Sequence, residues 1–236
     1  PGLGYLETAL FRGMHVVTAN KAPLVLAFPH LRALARDHGV QLRYDATVAG
    51  GLPAVNLGRR DLAAAEITRV EGILNITTNY ILTRMADDGL SYEEALADAQ
   101  EAGHAEADPS LDVEGWDAAN KLVILSHSVL GYPATLDQVA VEGITHVTAE
   151  MLARATTAGK KVKLLASAEQ DGAGYRFSVR PTRLEASHPM AQLQAKQMGI
   201  AYYTDISGII TAAIVEETPV PTASAMLRDV IEIYRG

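Results

Sequence analysis

The sequence predicts an α/β protein in two parts, a partial parallel unit followed by an α+β part built on a mixed sheet. Three observations carry this. Helix, strand, helix and strand patterns follow one another between residues 5 and 48, a glycine-rich break AGGLPAV occupies 49–55, and from residue 139 the chain turns strand-rich. The first rhythm is that of parallel strands covered by helices, and the second that of a sheet whose neighbouring strands are close in sequence.

The elements follow in order. Residues 5–12, YLETALFR, place apolar side chains at helical spacing, and Gly13 stops them as a glycine after a helix does. HVVTAN at 15–20 is a β-branched run and therefore a strand. Pro23 suits the first turn of a helix that runs to about His38 and closes at Gly39. VQLRYDATV at 40–48 alternates as a second strand. After the AGGLPAV boundary come a helix around 56–65, a strand at 67–74 and a helix starting near Thr77. Ser91 opens the next helix with Glu94 three residues on, the spacing of a capping box, and Gly103 ends it. The acidic stretch HAEADPSLDVEG leads into a long helix over 116–130. Strands in VAVEGI, KVKLLASAE and YRFSVRPTRL, a helix at about 148–158, a strand pair around YYTDI and GIITAAIVEE, and a last helix over 222–234 complete the chain.

Composition narrows the function. The 236 residues carry a net charge of −8, which disfavours nucleic acid and anionic membrane as partners. There is no cysteine, so disulfides, thiolate metal sites and thiol catalysis are excluded, and the chain suits a reducing cytoplasm. No run approaches the roughly 20 apolar residues that span a bilayer. The start, an initial Pro followed directly by helix-like sequence, predicts truncation upstream. The histidines show no ligand spacing, and the phosphate-cradling G-x-x-x-x-G-K-[ST], the nucleophile elbow and the dinucleotide fingerprint G-x-G-x-x-G are all missing from these residues.

Three places could carry chemistry. Glu106, Asp108, Asp112, Glu114 and Asp117 precede Lys121. They read either as a solvated acidic loop with an ordinary i,i+4 pair or as the rim of a pocket. The apolar residues around Asp117 and Lys121 favour the pocket, because that helix must be largely buried. A lysine held there by carboxylates can exchange a proton with a hydroxyl, and convergent carboxylates suit the ammonium of an amino-acid substrate. Asn20 and Lys21 end the first strand, where open parallel sheets place ligands, and read equally as a polar turn. Thr77, Thr78 and Asn79 read as a site or as a helix cap.

Together, HVVTANKAPL at 15–24, AGGLPAV at 49–55, GILNITTNYILTRM at 72–85, EADPSLDVEGWDAANKLVIL at 106–125 and TPVPTASAMLRD at 218–229 resemble the homoserine dehydrogenase family in order and spacing. The resemblance spans essentially the whole chain and is most specific from Glu106 to Lys121. It implies a Rossmann-like remnant formed by 1–50 with 218–236, and a catalytic and dimerisation domain over 51–217. The implied activity is NAD- or NADP-dependent interconversion of L-homoserine and L-aspartate 4-semialdehyde, on the route to threonine and methionine, in a cytoplasmic homodimer. Lys121 matches the family's general acid/base, Lys21 its second active-site lysine, and Asp117 would orient Lys121. Glu106 and Asp112 match contacts to the amino-acid portion. Thr77 matches the residue beside nicotinamide and substrate, and Asn20 and Lys21 adjoin the cofactor. A sodium ion is implied in the turn after the second strand, held by the carbonyls of Val48, Gly50 and Leu52 and by Asp45, one methylene shorter than the usual glutamate.

The chain departs from the family's pattern in three respects. The glycine loop for the cofactor's pyrophosphate is expected upstream of Pro1. Ile76 stands where a glycine precedes Thr-Thr-Asn, and its β-branched side chain would hinder close approach of a ligand to the backbone. His104 replaces a tyrosine. The alternative reading is a non-catalytic dimerisation or amino-acid-binding module of the same descent, and a third is a related NAD(P)-dependent enzyme for another small substrate.

Overall fold

The computed structural model describes residues 2–235. Helix α1 (Gly2–Phe11) leads through β1 (Val16–Val17) into α2 (Lys21–Asp37). Asn20 caps α2, its side-chain oxygen accepting a hydrogen bond from the Ala22 amide at 3.2 Å. Pro29 sits inside α2 and Ala27 leaves helical geometry at φ −146°, since a proline cannot donate to the ladder and its ring crowds the preceding turn. Strand β2 (Leu42–Arg43) pairs in parallel with β1.

The strand expected over 40–48 is thus cut to its middle, and Ala46–Ala49 form a short helix, α3. The cause is local competition for backbone groups. The Tyr44 carbonyl accepts both the amide of Thr47 at 3.0 Å and its hydroxyl at 2.6 Å, and the Asp45 amide donates to Asp229 at 3.0 Å. Gly50 then turns the chain at φ +56°. The helix expected at 56–65 is α4 (Ala54–Asn56) running into a π-helical turn over 57–61.

Strand β3 (Ile67–Ile73) and helix α5 (Ile76–Asp88) follow. Helix α6 (Tyr92–Glu101) begins with the capping box in both directions, the Ser91 hydroxyl accepting the Glu94 amide and the Glu94 carboxylate accepting the Ser91 amide. After α7 (Ser110–Val113), helix α8 (Trp116–Leu125) continues as a π-helical turn to Leu130. Strand β4 (Val139–Val141), α9 (Ala149–Thr157), β5 (Lys160–Asp171), β6 (Gly174–Glu185), β7 (Gln197–Thr204), β8 (Ile209–Val215) and α10 (Val220–Arg235) complete the described chain.

The large sheet has the order β4-β6-β5-β3-β7-β8, with β4 parallel to β6 and the other pairings antiparallel. It is the mixed sheet that the sequence predicts. Helix α8 is the keystone: α2 packs on it from the parallel layer, and β5 and β6 from the sheet. Leu122, Val123, Ile124 and Leu125 are accordingly all buried, as a helix enclosed on both sides requires. One apolar core joins the two layers, running from Leu10 and Leu24 to Ile200 and Tyr202. The opposite face of the sheet carries a smaller cluster around Ile73, Leu165, Met190 and Leu193, and becomes open toward β8, where Ile209 and Val215 are exposed. Among the described residues, no helix is long and apolar enough to cross a membrane.

Candidate active site

The first turns of α2, α5 and α8 converge where the parallel layer meets the large sheet. Each supplies one polar group because each is capped or charged there. Asp117 lies in the first turn of α8, after Gly115 enters it at φ +90°, and a carboxylate at that end is favoured by the helix dipole. Lys121 is one turn further on the same face. Its ammonium donates to Asp117 Oδ2 at 2.8 Å and to the Leu74 carbonyl at 2.5 Å. Lys21, at the start of α2, reaches Asp117 Oδ1 at 3.0 Å. One carboxylate therefore holds two lysines from different layers.

Burial by itself would raise the Asp117 pKa, but the charges of Lys121 and Lys21, with hydrogen bonds from Lys121 and Asn75, overcome it and hold the carboxyl well below the usual carboxylate range. Asp117 is ionised at neutral pH, and both ammonium groups are aimed by it.

Asn75 caps α5 and connects the acidic groups. Its amide nitrogen donates to Asp112 at 2.7 Å and to Asp117 at 2.9 Å, while its oxygen accepts the Thr78 amide at 2.9 Å. The Thr77 hydroxyl lies within reach of the Asp112 carboxylate, 2.9 Å, and the His104 carbonyl, 2.6 Å. His104 thus acts through its backbone, which is why an imidazole can stand at this position. The cap of α5 is Asn75 and not residues 77–79, which lie inside the helix. Thr77 faces Asp112, whereas Asn79 turns into the core, donating to the carbonyls of Gln194 and Gln197.

Lys21, Lys121, Ile76, Gly50, Met198 and Glu216 line an open cleft of about 300 Å³ beside this cluster. Of the residues picked from sequence, the structure brings Lys21, Lys121, Asp117, Asp112 and Thr77 together. It leaves Glu106 exposed on the surface, with its carbonyl accepting from Gln100 at 3.1 Å. Asn20 is exposed and serves as the α2 cap. Sequence reasoning missed Asn75, whose place between a strand and a helix was the available signal, and Glu216, for which nothing local gave one. The Glu216 carboxylate accepts the Gly51 amide at 3.3 Å and the Thr222 hydroxyl at 2.6 Å. It fills the space beside Gly50, where a Cβ would lie 2.0 Å from Glu216 Oε2, so glycine is required there for this packing as well as for its positive φ.

The turn expected to hold sodium offers a poor donor set. Asp45 is buried, and its carboxylate accepts the Asn56 amide at 3.0 Å and pairs with Arg228 at 2.5 Å. The Leu52 carbonyl accepts the Ala54 amide at 2.7 Å. A cation beside Asp45 would meet the guanidinium already there, so these residues do not fit the ion as expected.

Fold and site together define an α/β protein with a cluster of two lysines on one buried carboxylate at the junction of a parallel unit and a mixed sheet. A family model for homoserine dehydrogenase matches residues 53–231. A homoserine dehydrogenase of Methanocaldococcus jannaschii is 41% identical over 94% of this chain and 65% of its own length. Among solved structures, a putative homoserine dehydrogenase of Archaeoglobus fulgidus superimposes with a TM-score of 0.94 at 44% identity, covering 99% of this chain and 71% of that one. The enzyme of Thiobacillus denitrificans gives 0.96 at 34% identity, over 100% of this chain and 55% of that one. This chain belongs to the homoserine dehydrogenase family. It spans about two thirds or less of the length of the Methanocaldococcus and Thiobacillus proteins.

Proposed function

We propose that this chain supplies the substrate-binding and proton-transfer part of a homoserine dehydrogenase, which interconverts L-homoserine and L-aspartate 4-semialdehyde with NAD or NADP in threonine and methionine biosynthesis in the cytoplasm. The observation that carries the reading is the pair of lysines on buried Asp117 at the edge of the cleft. Lys121 exchanges the proton of the substrate's hydroxyl oxygen, Asp117 keeps its ammonium aimed, and Lys21 adds a second positive charge where an alkoxide develops. Asp112 receives the substrate ammonium, and Thr77 borders the reacting carbon. The nicotinamide, when bound, would supply or take up the hydride, and the open cleft lined by Lys21, Ile76 and Lys121, next to Asn20 and Thr77 in sequence, suits its ring. In support, a relative from Pseudomonas canavaninivorans, 36% identical, is named NAD(+)-dependent, and a hyperthermophilic archaeal homoserine dehydrogenase mutant, TM-score 0.86 at 27% identity, was solved in complex with NADPH.

Residues 1–50 with 218–236 belong to the nucleotide-binding domain in this reading, since α10 returns to bond Asp45 and Asn56 through Asp229, and 51–217 form the catalytic domain. The open apolar face near β8 pairs two subunits as a homodimer. The non-catalytic alternative is not favoured, because the lysines, their carboxylate and the bridging amide are all in place. Calorimetric titration of L-homoserine into the chain tests the reading. Saturable binding that weakens about tenfold in Asp112→Asn is expected, the loss of one charge-assisted hydrogen bond. No binding well above roughly 1 mM, the top of the usual substrate range, would contradict it.

A further inference from the structure

We propose that an arginine-lined cavity between α10 and the turn after α4 binds a phosphate chain, that of inorganic pyrophosphate or of a nucleoside diphosphate. The cavity has a volume of about 730 Å³ and shares no lining residue with the lysine cleft. Arg43, Arg59, Arg60, Arg228 and Arg235 surround it, with Glu232 as the carboxylate and Ile231 as an apolar wall. In a chain of net charge −8, such a concentration of guanidinium groups makes a local positive field against the average.

The internal ion pairs leave part of that charge unanswered. Glu232 is shared between Arg43 at 3.4 Å and Arg60 at 3.1 Å, Arg60 is also paired with Asp61 at 3.0 Å, and Arg228 is committed to Asp45, which leaves Arg59 and Arg235 as the cations to be answered. Arg59 and Arg235 have no ion pair among the described residues; the contact of Arg59 is the Tyr44 hydroxyl, 3.4 Å away. The Nε of Arg228 is buried and has no hydrogen-bond partner, a donor that a ligand oxygen would satisfy. The lining is also pre-organised, since Arg43 is fixed by two hydrogen bonds to the Gln41 side chain, at 3.0 and 2.8 Å.

The size of the site selects the ligand class. A neighbouring cavity of about 240 Å³ shares Arg43 and Arg59 and adds Arg32 and Arg36, so the positive lining continues along β2 beyond the reach of one tetrahedral anion. Planar guanidinium forks pair with phosphate oxygens two at a time. An open cavity of this volume is of small-molecule size, and the net charge of −8 disfavours an extended nucleic-acid backbone. The other use of such residues is to shield the edge of β2 from pairing with another chain, which needs charge but no ligand.

Calorimetric titration of pyrophosphate, with ADP and orthophosphate in parallel, separates these at roughly 0.15 M salt, where diffuse attraction is screened. The site predicts saturable one-to-one binding of pyrophosphate, stronger than that of orthophosphate. Tighter binding of ADP points to a nucleotide using the Ile231 wall, and equal binding to the inorganic source. The double variant Arg59→Gln with Arg235→Gln should weaken binding at least tenfold without changing the melting temperature. Arg154→Gln on exposed α9 should leave binding unchanged. Absence of saturable binding, no effect of the double variant, or an equal loss in Arg154→Gln would overturn the proposal. The test needs no turnover and so stands apart from the proposed function.

Discussion

Replacing Asp117 by asparagine removes the carboxylate that holds both lysines while keeping its shape. Lys121 and Asp117 are each 12% exposed in their side chains, so Lys121 would keep its charge in a buried place with the Leu74 carbonyl as its remaining partner. Breaking one side of a buried pair costs about 3–5 kcal/mol. Lys21 is 36% exposed and adds little, because water screens it. A loss of about 3 kcal/mol follows, which for a protein of this size lowers the melting temperature by roughly 6–12 °C. The pH dependence gives a second readout. The folded carboxyl lies below its ordinary value of 3.8, so its contribution is fully present above that value and is lost progressively as pH falls from it toward the depressed folded value. Urea unfolding of both proteins at neutral pH and at successively lower pH should show the gap narrowing with acidification. A variant within about 0.5 kcal/mol of the wild type, or a gap independent of pH, would refute the buried-pair argument.

Lys163 is buried in β5, donating to Asn79, Thr83 and the Leu193 carbonyl, and burial brings its pKa down to about 8. The unfolded chain then holds a proton that the folded chain has released, so stability should rise between pH 8 and about 10.5 by up to ~1.4 kcal/mol per pH unit. Lys163→Met should abolish that rise in urea titrations and cost about 1–3 kcal/mol at neutral pH through the acceptors it leaves unpaired. Asn75→Ala removes a helix cap and the amide between two carboxylates, and should destabilise by about 2 kcal/mol in the same assay. Ile76→Gly should lower the KM for the nicotinamide cofactor in steady-state assays of the assembled enzyme while costing under about 1 kcal/mol, since it shortens the side chain at the cleft and weakens only the first turn of α5.

Legibility in the sequence followed the range of the interactions. The Ser91–Glu94 box and the Asp117–Lys121 pair depend on residues three and four apart, and both stand as read. The strand over 40–48 did not, because its alternating pattern was outweighed by Asp229, distant in sequence, which takes the Asp45 amide. The sodium ligand set fits poorly for a related reason: Arg228, from α10, occupies the Asp45 carboxylate. Glu216 reaches the cleft through the β7–β8 ladder, and no local pattern marks it. Asn75 was within reach, since an amide side chain between a strand and a helix is a cap, but its bonds to two carboxylates depend on how α5 packs against α7 and α8.

The central claim is that Lys121, held by Asp117, moves the proton of the reaction. Its most direct test joins this chain to the part of the Methanocaldococcus jannaschii relative that lies outside the match, verifies folding by circular dichroism, and measures L-homoserine oxidation with NAD and with NADP. The account predicts turnover that falls by roughly 10²–10⁴ in Lys121→Ala with little change in the KM for homoserine. A folded assembly without homoserine turnover, or one in which Lys121→Ala turns over as fast as the parent, would contradict it.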